Sequence, residues 1–363
     1  MKEHTAIIAI TRGGMKLGRE LTGLLSESHL YLPVKFTDVQ KAKVYPFEEP
    51  LAVVVEKVFV RYANLVLIMA TGIAVRLLAH LVRDKYKDPA VVVMDERGQY
   101  VISLLSGHIG GANALAKKIA SLTTAQPVIT TASDVNNTIA VDLLGREFGW
   151  KIESKSNLIR VAATLVNGED VGIYQDAGER DWWSNKKPLP ANIHVFDNLE
   201  SLQESSCSAM LIITDRELSE AEKTLLKRSV VYRPRSLVLG IGCNKGVSCS
   251  RIEEAITQVF IENRLSMQSI RNLATVDIKE KEKGLLEYIE KHELSLDLYP
   301  REALKQIDYP SSPSSFALNN VGVPAVCEPA ALLSSNNGRL VVPKMKMKDI
   351  TIAIARVSYA EKH

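Results

Sequence analysis

Asn64-Leu-Val-Leu-Ile-Met69 is a continuous apolar run, followed by Ala70-Thr71-Gly72 and a helical pattern that carries Arg76. The run is too short to cross a membrane, so it reads as a strand buried on both faces, with Gly72 turning the chain into a helix. Pro89 restarts the chain into Val91-Val-Val-Met-Asp95, and Glu96-Arg97-Gly98 turns it back along Tyr100-Val-Ile-Ser-Leu104, which predicts a two-stranded hairpin. Next comes Ser106-Gly107-His108-Ile109-Gly110-Gly111-Ala112-Asn113, a glycine turn that runs into a helical pattern over 114–120.

A helix N-terminus leaves backbone N–H groups unpaired and carries partial positive charge, so the Gly110-Gly111 pair is a candidate seat for a carboxylate or phosphate. His108 stands just before it, and an ordinary histidine pKa of ~6.5 suits proton transfer near neutrality. The competing reading is that His108 braces its turn by a hydrogen bond and the glycines only satisfy turn geometry.

Upstream, 6–10 reads as the first strand, Arg12-Gly13-Gly14 as a turn and 16–25 as a helix, a β-turn-α unit of the kind that builds parallel sheets. Gly13-Gly14 is a second possible anion seat, or simply a tight turn. Val34 and Phe36 suggest a short strand, and Leu51 to Arg61 a helix. Downstream, Pro127-Val-Ile-Thr-Thr131 reads as a buried strand delivering Thr130, Thr131, Ser133 and Asp134 to its C-terminal end. Ligands of open α/β sheets bind outside the carboxyl ends of strands, so this loop should share one rim with Thr71-Gly72 and Thr11-Arg12. Alternatively, Ser133 or Asp134 caps the helix expected over 137–148.

From Gly149 the chain becomes more polar. A helix over 157–166, strands at 171–174, 193–196 and 210–214, and a loop holding Trp182-Trp183 are expected, with the tryptophans filling a small core rather than stacking on a ligand. Arg233-Pro234-Arg235-Ser236 reads as a linker. Leu237-Val-Leu-Gly-Ile241 then opens a third unit, with Gly240, Gly242 and Gly246 around Cys243-Asn244-Lys245, and Ser250 with Glu253 forms an expected capping box. That glycine spacing matches neither G-x-G-x-x-G nor a Walker loop. Lys279, Lys281 and Lys283 read as a solvated face, and 340–343 with 350–357 as a closing antiparallel hairpin.

With 363 residues the chain predicts three α/β units, roughly 1–135, 136–236 and 237–363, with parallel or mixed sheets flanked by helices. Hydrophobic residues make up 46% and charged residues 24%, and mean hydropathy is near zero, as expected of a soluble globular protein. A net charge of +3 gives no support for nucleic-acid binding. Cys207, Cys243, Cys249 and Cys327 lack zinc-knuckle spacing and read as reduced thiols, and the apolar stretch of 1–11 is too short for a signal peptide, so a cytoplasmic location is expected.

Met69-Ala-Thr-Gly-Ile-Ala-Val-Arg76 and Ser106-Gly-His-Ile-Gly-Gly-Ala-Asn113 resemble motifs of the CbiG family, the cobalt-precorrin 5A hydrolases of the anaerobic cobalamin pathway. The resemblance extends through Thr130-Thr-Ala-Ser-Asp134 to Gly240-Ile-Gly-Cys-Asn-Lys-Gly246 and Gly322-Val-Pro-Ala-Val-Cys-Glu-Pro329, nearly the whole chain. It implies that water opens a δ-lactone on a cobalt-corrinoid macrocycle and that a two-carbon fragment leaves as acetaldehyde, giving cobalt-precorrin 5B. The implied partners are the cobalt-precorrin substrate and neighbouring pathway enzymes, with no nucleic acid and no membrane. No cofactor is implied, since the cobalt belongs to the substrate, and no protein metal site is indicated.

That chemistry needs donors for an oxyanion and acid–base help. His108 is the candidate acid/base. Thr71, Gly72, Arg76, Ser106, Gly107, Gly110, Gly111, Asn113, Thr131 and Asp134 are candidate substrate contacts, with Arg76 as a bidentate carboxylate clamp. Gly242, Lys245 and Glu328 are candidates from the third unit. No Ser-His-Asp order or nucleophile elbow is visible, so no covalent acyl intermediate is expected. Two other classes stay open: a non-catalytic tetrapyrrole carrier, and an enzyme using a nucleotide or S-adenosylmethionine at the Gly240 turn.

Overall fold

The central strands of the first half of the chain carry unbroken apolar runs, at 6–10, 65–69 and 90–94, because its sheet is covered on both faces. The computed structural model describes residues 3–37, 43–183 and 188–359. The chain divides into two compact units, Met1–Leu143 and Leu144–His363.

The first unit runs β1 (Glu3–Ala9), α1 (Arg12–Leu24), β2 (Ser28–Pro33), β3 (Val44–Phe47), α2 (Leu51–Arg61), β4 (Tyr62–Ile68), α3 (Thr71–Leu78), β5 (Ala90–Met94), β6 (Tyr100–Leu105), α4 (Ala112–Leu122), β7 (Gln126–Val128) and α5 (Ala132–Val135). Its sheet order is β3-β2-β1-β4-β5-β6-β7. Ile7, Val66 and Val92 point to one face, under Leu21 of α1 and Ile119 of α4. Ile8, Leu65 and Val91 point to the other, under Val55 of α2 and Leu78 of α3. The period-two alternation of a strand thus feeds two apolar cores.

The expected hairpin forms, since β5 and β6 pair antiparallel. Its consequence differs from the expectation of a single ligand-binding rim. The pairs from β3 through β5 are all parallel, and β7 is parallel to β6, so β6 and β7 run against the rest. Residues following β7 therefore emerge at the rim opposite those following β1 and β4.

Three local expectations give way to tertiary context. Val34–Phe36 is a 3-10 turn after β2 rather than a strand. The helix expected over 137–148 is replaced by turns and a 3-10 segment at Arg146–Phe148, because Asn137, Gly145 and Gly149 all take positive φ. Neither Ser133 nor Asp134 caps a helix there; both lie inside α5.

The second unit carries two sheets. One, in order β10-β9-β11-β12-β8, is built from β8 (Lys151–Ile152), β9 (Val171–Gln175), β10 (Ile193–Phe196), β11 (Ala209–Ile213) and β12 (Ser229–Arg233), with α6 (Leu158–Val166) and α7 (Leu199–Glu204) beside it. Trp150 is the buried tryptophan, whereas Trp182 and Trp183 remain half-buried on their loop. The other sheet, in order β15-β14-β13-β17-β16, comprises β13 (Leu237–Cys243), β14 (Ile270–Val276), β15 (Ser295–Tyr299), β16 (Arg339–Lys346) and β17 (Ile350–Arg356), the last two antiparallel. It packs on α8 (Cys249–Glu262), α9 (Lys283–Lys291), α10 (Arg301–Lys305), α11 (Ser315–Val321) and α12 (Cys327–Ser334). The cap of α8 is Ser248, whose hydroxyl accepts from Arg251 N, two residues before the expected box. Lys279 is not solvated but nearly buried against Glu282.

The supposed linker at 233–236 is buried at Arg233 and Ser236. Arg233 is 1% exposed; its guanidinium pairs with Glu153 and donates to the carbonyls of Thr214 and Arg216. Asp215, fully buried, accepts from Arg356 at 2.7 and 2.6 Å and from Ser236 Oγ at 2.7 Å, tying β17 to the loop after β11. Removing one partner of a buried pair strands the other charge at a cost of about 3–5 kcal/mol. Asp215→Ala should lower the stability of the second unit by that order. All three tryptophans lie in this unit, so urea unfolding followed by tryptophan fluorescence reads the loss.

Candidate active site

The loop after β6 is a steric construction. Ser106 sits at φ +57 and Gly111 at φ +94, the latter as the N-cap residue of α4. A Cβ on Gly110 would lie 2.2 Å from Ser106 Cβ, and one on Gly107 would lie 2.8 Å from Asn113 Oδ1. The glycines are thus accounted for by close approach and a left-handed turn. The N–H groups expected to bind an anion are already taken, since Gly111, Ala112 and Asn113 donate to the carbonyls of His108, Ser106 and Gly107. At the other glycine pair, Thr11 Oγ1 accepts from Gly14 N and donates to the Glu96 carboxylate, so that turn faces a negative charge.

What the loop does is aim His108. Its Nε2 lies 2.9 Å from Ser133 Oγ and 3.2 Å from Asp134 Oδ2, and its Nδ1 lies 3.3 Å from Asp142 Oδ1. Asn113, buried at the start of α4, donates to Thr131 Oγ1 and Asp134 Oδ2 at 2.9 Å each and accepts from Ser103 Oγ at 2.6 Å. Lys117, one turn further along α4, binds the second oxygen of Asp134 at 2.7 Å. Ser106, Gly107, His108, Gly110, Gly111, Asn113, Thr131 and Asp134 therefore converge.

Thr71, Gly72 and Arg76 do not join them. They follow β4 and so occupy the opposite rim, roughly 20 Å away for a strand of this length. Arg76 is exposed and its Nη1 donates to Gly72 O at 3.1 Å. Two members of the cluster lacked any sequence signal as partners of His108. Asp142 lay within an expected helix and reaches the imidazole only because that helix does not form. Ser133 was visible in its motif, but nothing in the sequence paired it with His108.

Gly242, Lys245 and Glu328 belong to the second unit. Gly242 lines a cavity of about 520 Å³ together with Lys279, Lys344, Lys346 and Lys348. Lys245 is exposed in its turn. Glu328 is fully buried: its Oε1 accepts from Ser311 Oγ at 2.8 Å and Lys344 N at 3.0 Å. Gly240 is required by packing, because a Cβ there would strike Cys327 O of α12. The amide of Gly246 donates to Glu282 at 2.6 Å, which fills the turn with a carboxylate and argues against a phosphate there. Among the described residues no group of three or more His, Cys, Asp or Glu is placed to hold a metal ion.

The electrostatics follow from this geometry. The hydrogen bond from the His108 ring to Asp142 is the largest influence on His108; with help from Asp134 it outweighs burial and raises the imidazole pKa above its ordinary value. Burial opposes ionisation of Asp134, but Lys117, Asn113 and His108 together hold its pKa low. Burial likewise opposes ionisation of Asp142, and His108 reverses it. Stability from the raised histidine is fully present below its ordinary pKa and is lost as pH rises through the folded value. An NMR titration of the His108 ring should give a pKa above that of a free histidine, and Asp142→Asn should lower it.

The family model for the Cobalamin synthesis G N-terminal region matches residues 53–134, that for the Cobalamin biosynthesis central region 139–234, and that for the Cobalamin synthesis G C-terminus 237–355. The chain is similar to a protein of Priestia megaterium named cobalt-precorrin-5A hydrolase, 39% identical over 98% of this chain and 95% of that one. It is also similar to a protein of the same name from Salmonella typhimurium (strain LT2), 32% identical over 97% of each. Among solved structures it is similar to CobE, a protein from the cobalamin (vitamin B12) biosynthetic pathway, 28% identical over 35% of this chain and 93% of that one, with a TM-score of 0.33. Given relatives this similar along nearly the whole length and a match to each of its three segments, the chain belongs to the cobalamin synthesis G (CbiG) family.

Proposed function

We propose that this chain opens the δ-lactone of cobalt-precorrin 5A and releases acetaldehyde, giving cobalt-precorrin 5B. The two relatives named cobalt-precorrin-5A hydrolase support the substrate. One observation supports the chemistry: His108 has a carboxylate at each ring nitrogen. A buried-edge histidine stabilised in its charged form can give a proton to the oxygen that departs when the lactone opens, and its neutral form can take one back during carbon–carbon cleavage. Asn113, which also donates to Thr131, and Lys117 hold Asp134 in place for this exchange, and the loop 106–111 fixes the ring.

The cobalt travels with the substrate in this reading. A peripheral carboxylate of the macrocycle would find a cation at Lys117. A cytoplasmic setting fits such a biosynthetic step; among the described residues no helix is long and apolar enough to cross a membrane.

General acid–base help contributes ~10²- to 10⁴-fold, so His108→Asn should lower acetaldehyde release from cobalt-precorrin 5A by about that factor while substrate binding persists. A protein that only carries the tetrapyrrole would bind it and release no acetaldehyde even with His108 intact. Arg76→Ala, altering an exposed residue on the other rim, should leave single-turnover release within about twofold of the parent; a loss comparable to that of His108→Asn would return Arg76 to the site.

A further inference from the structure

Ser133, His108 and Asp142 stand in the arrangement of a nucleophile, its base and the group that orients the base. Ser133 Oγ is 2.9 Å from His108 Nε2, and His108 Nδ1 is 3.3 Å from Asp142 Oδ1. The chain order is His, Ser, Asp, which no short motif announces; such a constellation is recognised by geometry and roles rather than by sequence position. We propose that Ser133 is the nucleophile of lactone opening and carries the acyl group as an ester before water releases it. This inference rests on the reading of the chain as a lactone-opening hydrolase.

Other uses of Ser133 are poorly supported. It is the second residue of α5, where a serine could serve as a cap, yet no side-chain capping bond is made at that helix start. Its side chain is buried, and the contact with His108 is the one hydrogen bond recorded for its hydroxyl among the described residues. A lactone is an ester, so the chemistry suits a hydroxyl nucleophile paired with an imidazole.

The steps balance without a redox partner. The Ser133 hydroxyl adds to the lactone carbonyl carbon as its proton passes to His108 Nε2. The tetrahedral adduct collapses, the bond from acyl carbon to ring oxygen breaks, and His108 returns that proton to the departing oxygen. Water then adds to the Ser133 ester, again through His108, and Ser133 leaves with its hydroxyl restored. One water is consumed overall. Asp142 holds Nδ1–H so that Nε2 faces the serine, and Asp134 receives Nε2–H while the ring is charged.

The charges facing His108 are Asp134 and Asp142; behind them Lys117 binds Asp134, which also accepts from the neutral Asn113, and Lys85 lies in the field of Asp142. Because the two carboxylates favour the charged ring, the fraction of His108 able to act as a base grows as pH rises through its elevated pKa, and acylation should accelerate over that interval.

The test mixes the full chain with cobalt-precorrin 5A, quenches in acid within one turnover and measures intact protein mass. Ring opening expels no fragment, so the expected adduct carries the whole mass of the lactone and maps to the peptide containing Ser133. Ser133→Ala should lose the adduct and slow acetaldehyde release by at least ~10³-fold with an unchanged melting temperature. Ser133→Cys should form a thioester adduct that hydroxylamine removes, which a residue of merely structural importance would not do. The proposal is overturned if Ser133→Ala releases acetaldehyde within about tenfold of the parent rate, or if the parent releases acetaldehyde while neither an adduct nor a hydroxamate forms in the presence of hydroxylamine. In those cases the hydrolase reading stands without Ser133. A parent chain that releases no acetaldehyde removes the hydrolase reading and the nucleophile with it.

Discussion

The carboxylate of Asp95 holds the turn on which the first unit depends. Its Oδ1 accepts from Arg97 N at 2.9 Å and its Oδ2 from Tyr100 N at 2.7 Å, while Gly98 takes the positive φ that closes the turn. By sending β6 back against β5, this turn reverses the last third of a sheet that is otherwise parallel. The glycine loop after β6 and the threonine loop after β7 then emerge side by side. Had β6 continued by a crossover in the common direction, His108 would have faced the rim that holds Thr71 and Arg76.

Around His108 the arrangement is one of alternating charge. Lys117, Asp134, His108 and Asp142 follow one another at hydrogen-bonding distances, so each partly buried charge has an opposite neighbour. That alternation lets the imidazole hold a proton without a net buried charge, which in a half-desolvated site would otherwise be costly. Asn113 makes the arrangement rigid: its amide bridges β6, α5 and the loop, and its side chain leaves room for no residue but glycine at 107.

The second unit uses buried ionic groups for a different purpose. Asp215 with Arg356 and Ser236 joins its two sheets where the sequence suggested a linker, and Arg233 with Glu153 and two carbonyls fixes the end of β12 within its own sheet. Pro234 and the flanking arginines look polar and loop-like in one dimension. Burial of Arg233 is made possible by Glu153, 80 residues upstream, and burial of Asp215 by Arg356, 141 residues downstream.

The sequence by itself determined the α/β class, the buried strands β1, β4, β5 and β11 and the closing hairpin, because unbroken apolar runs and turn glycines act over a few residues. It also determined that the loop 106–113 was special, and the family to which its motifs belong. The tertiary structure alone decided which candidates meet. Strand direction separated Arg76 from His108, a property set by pairing between distant segments and invisible in any local pattern. The failure of a helix over 137–148, driven by left-handed backbone at Asn137 and Gly145, carried Asp142 to the imidazole. Ser133 was in view throughout as part of a motif; its distance to His108 Nε2 is a fact of packing, and no spacing along a chain encodes it.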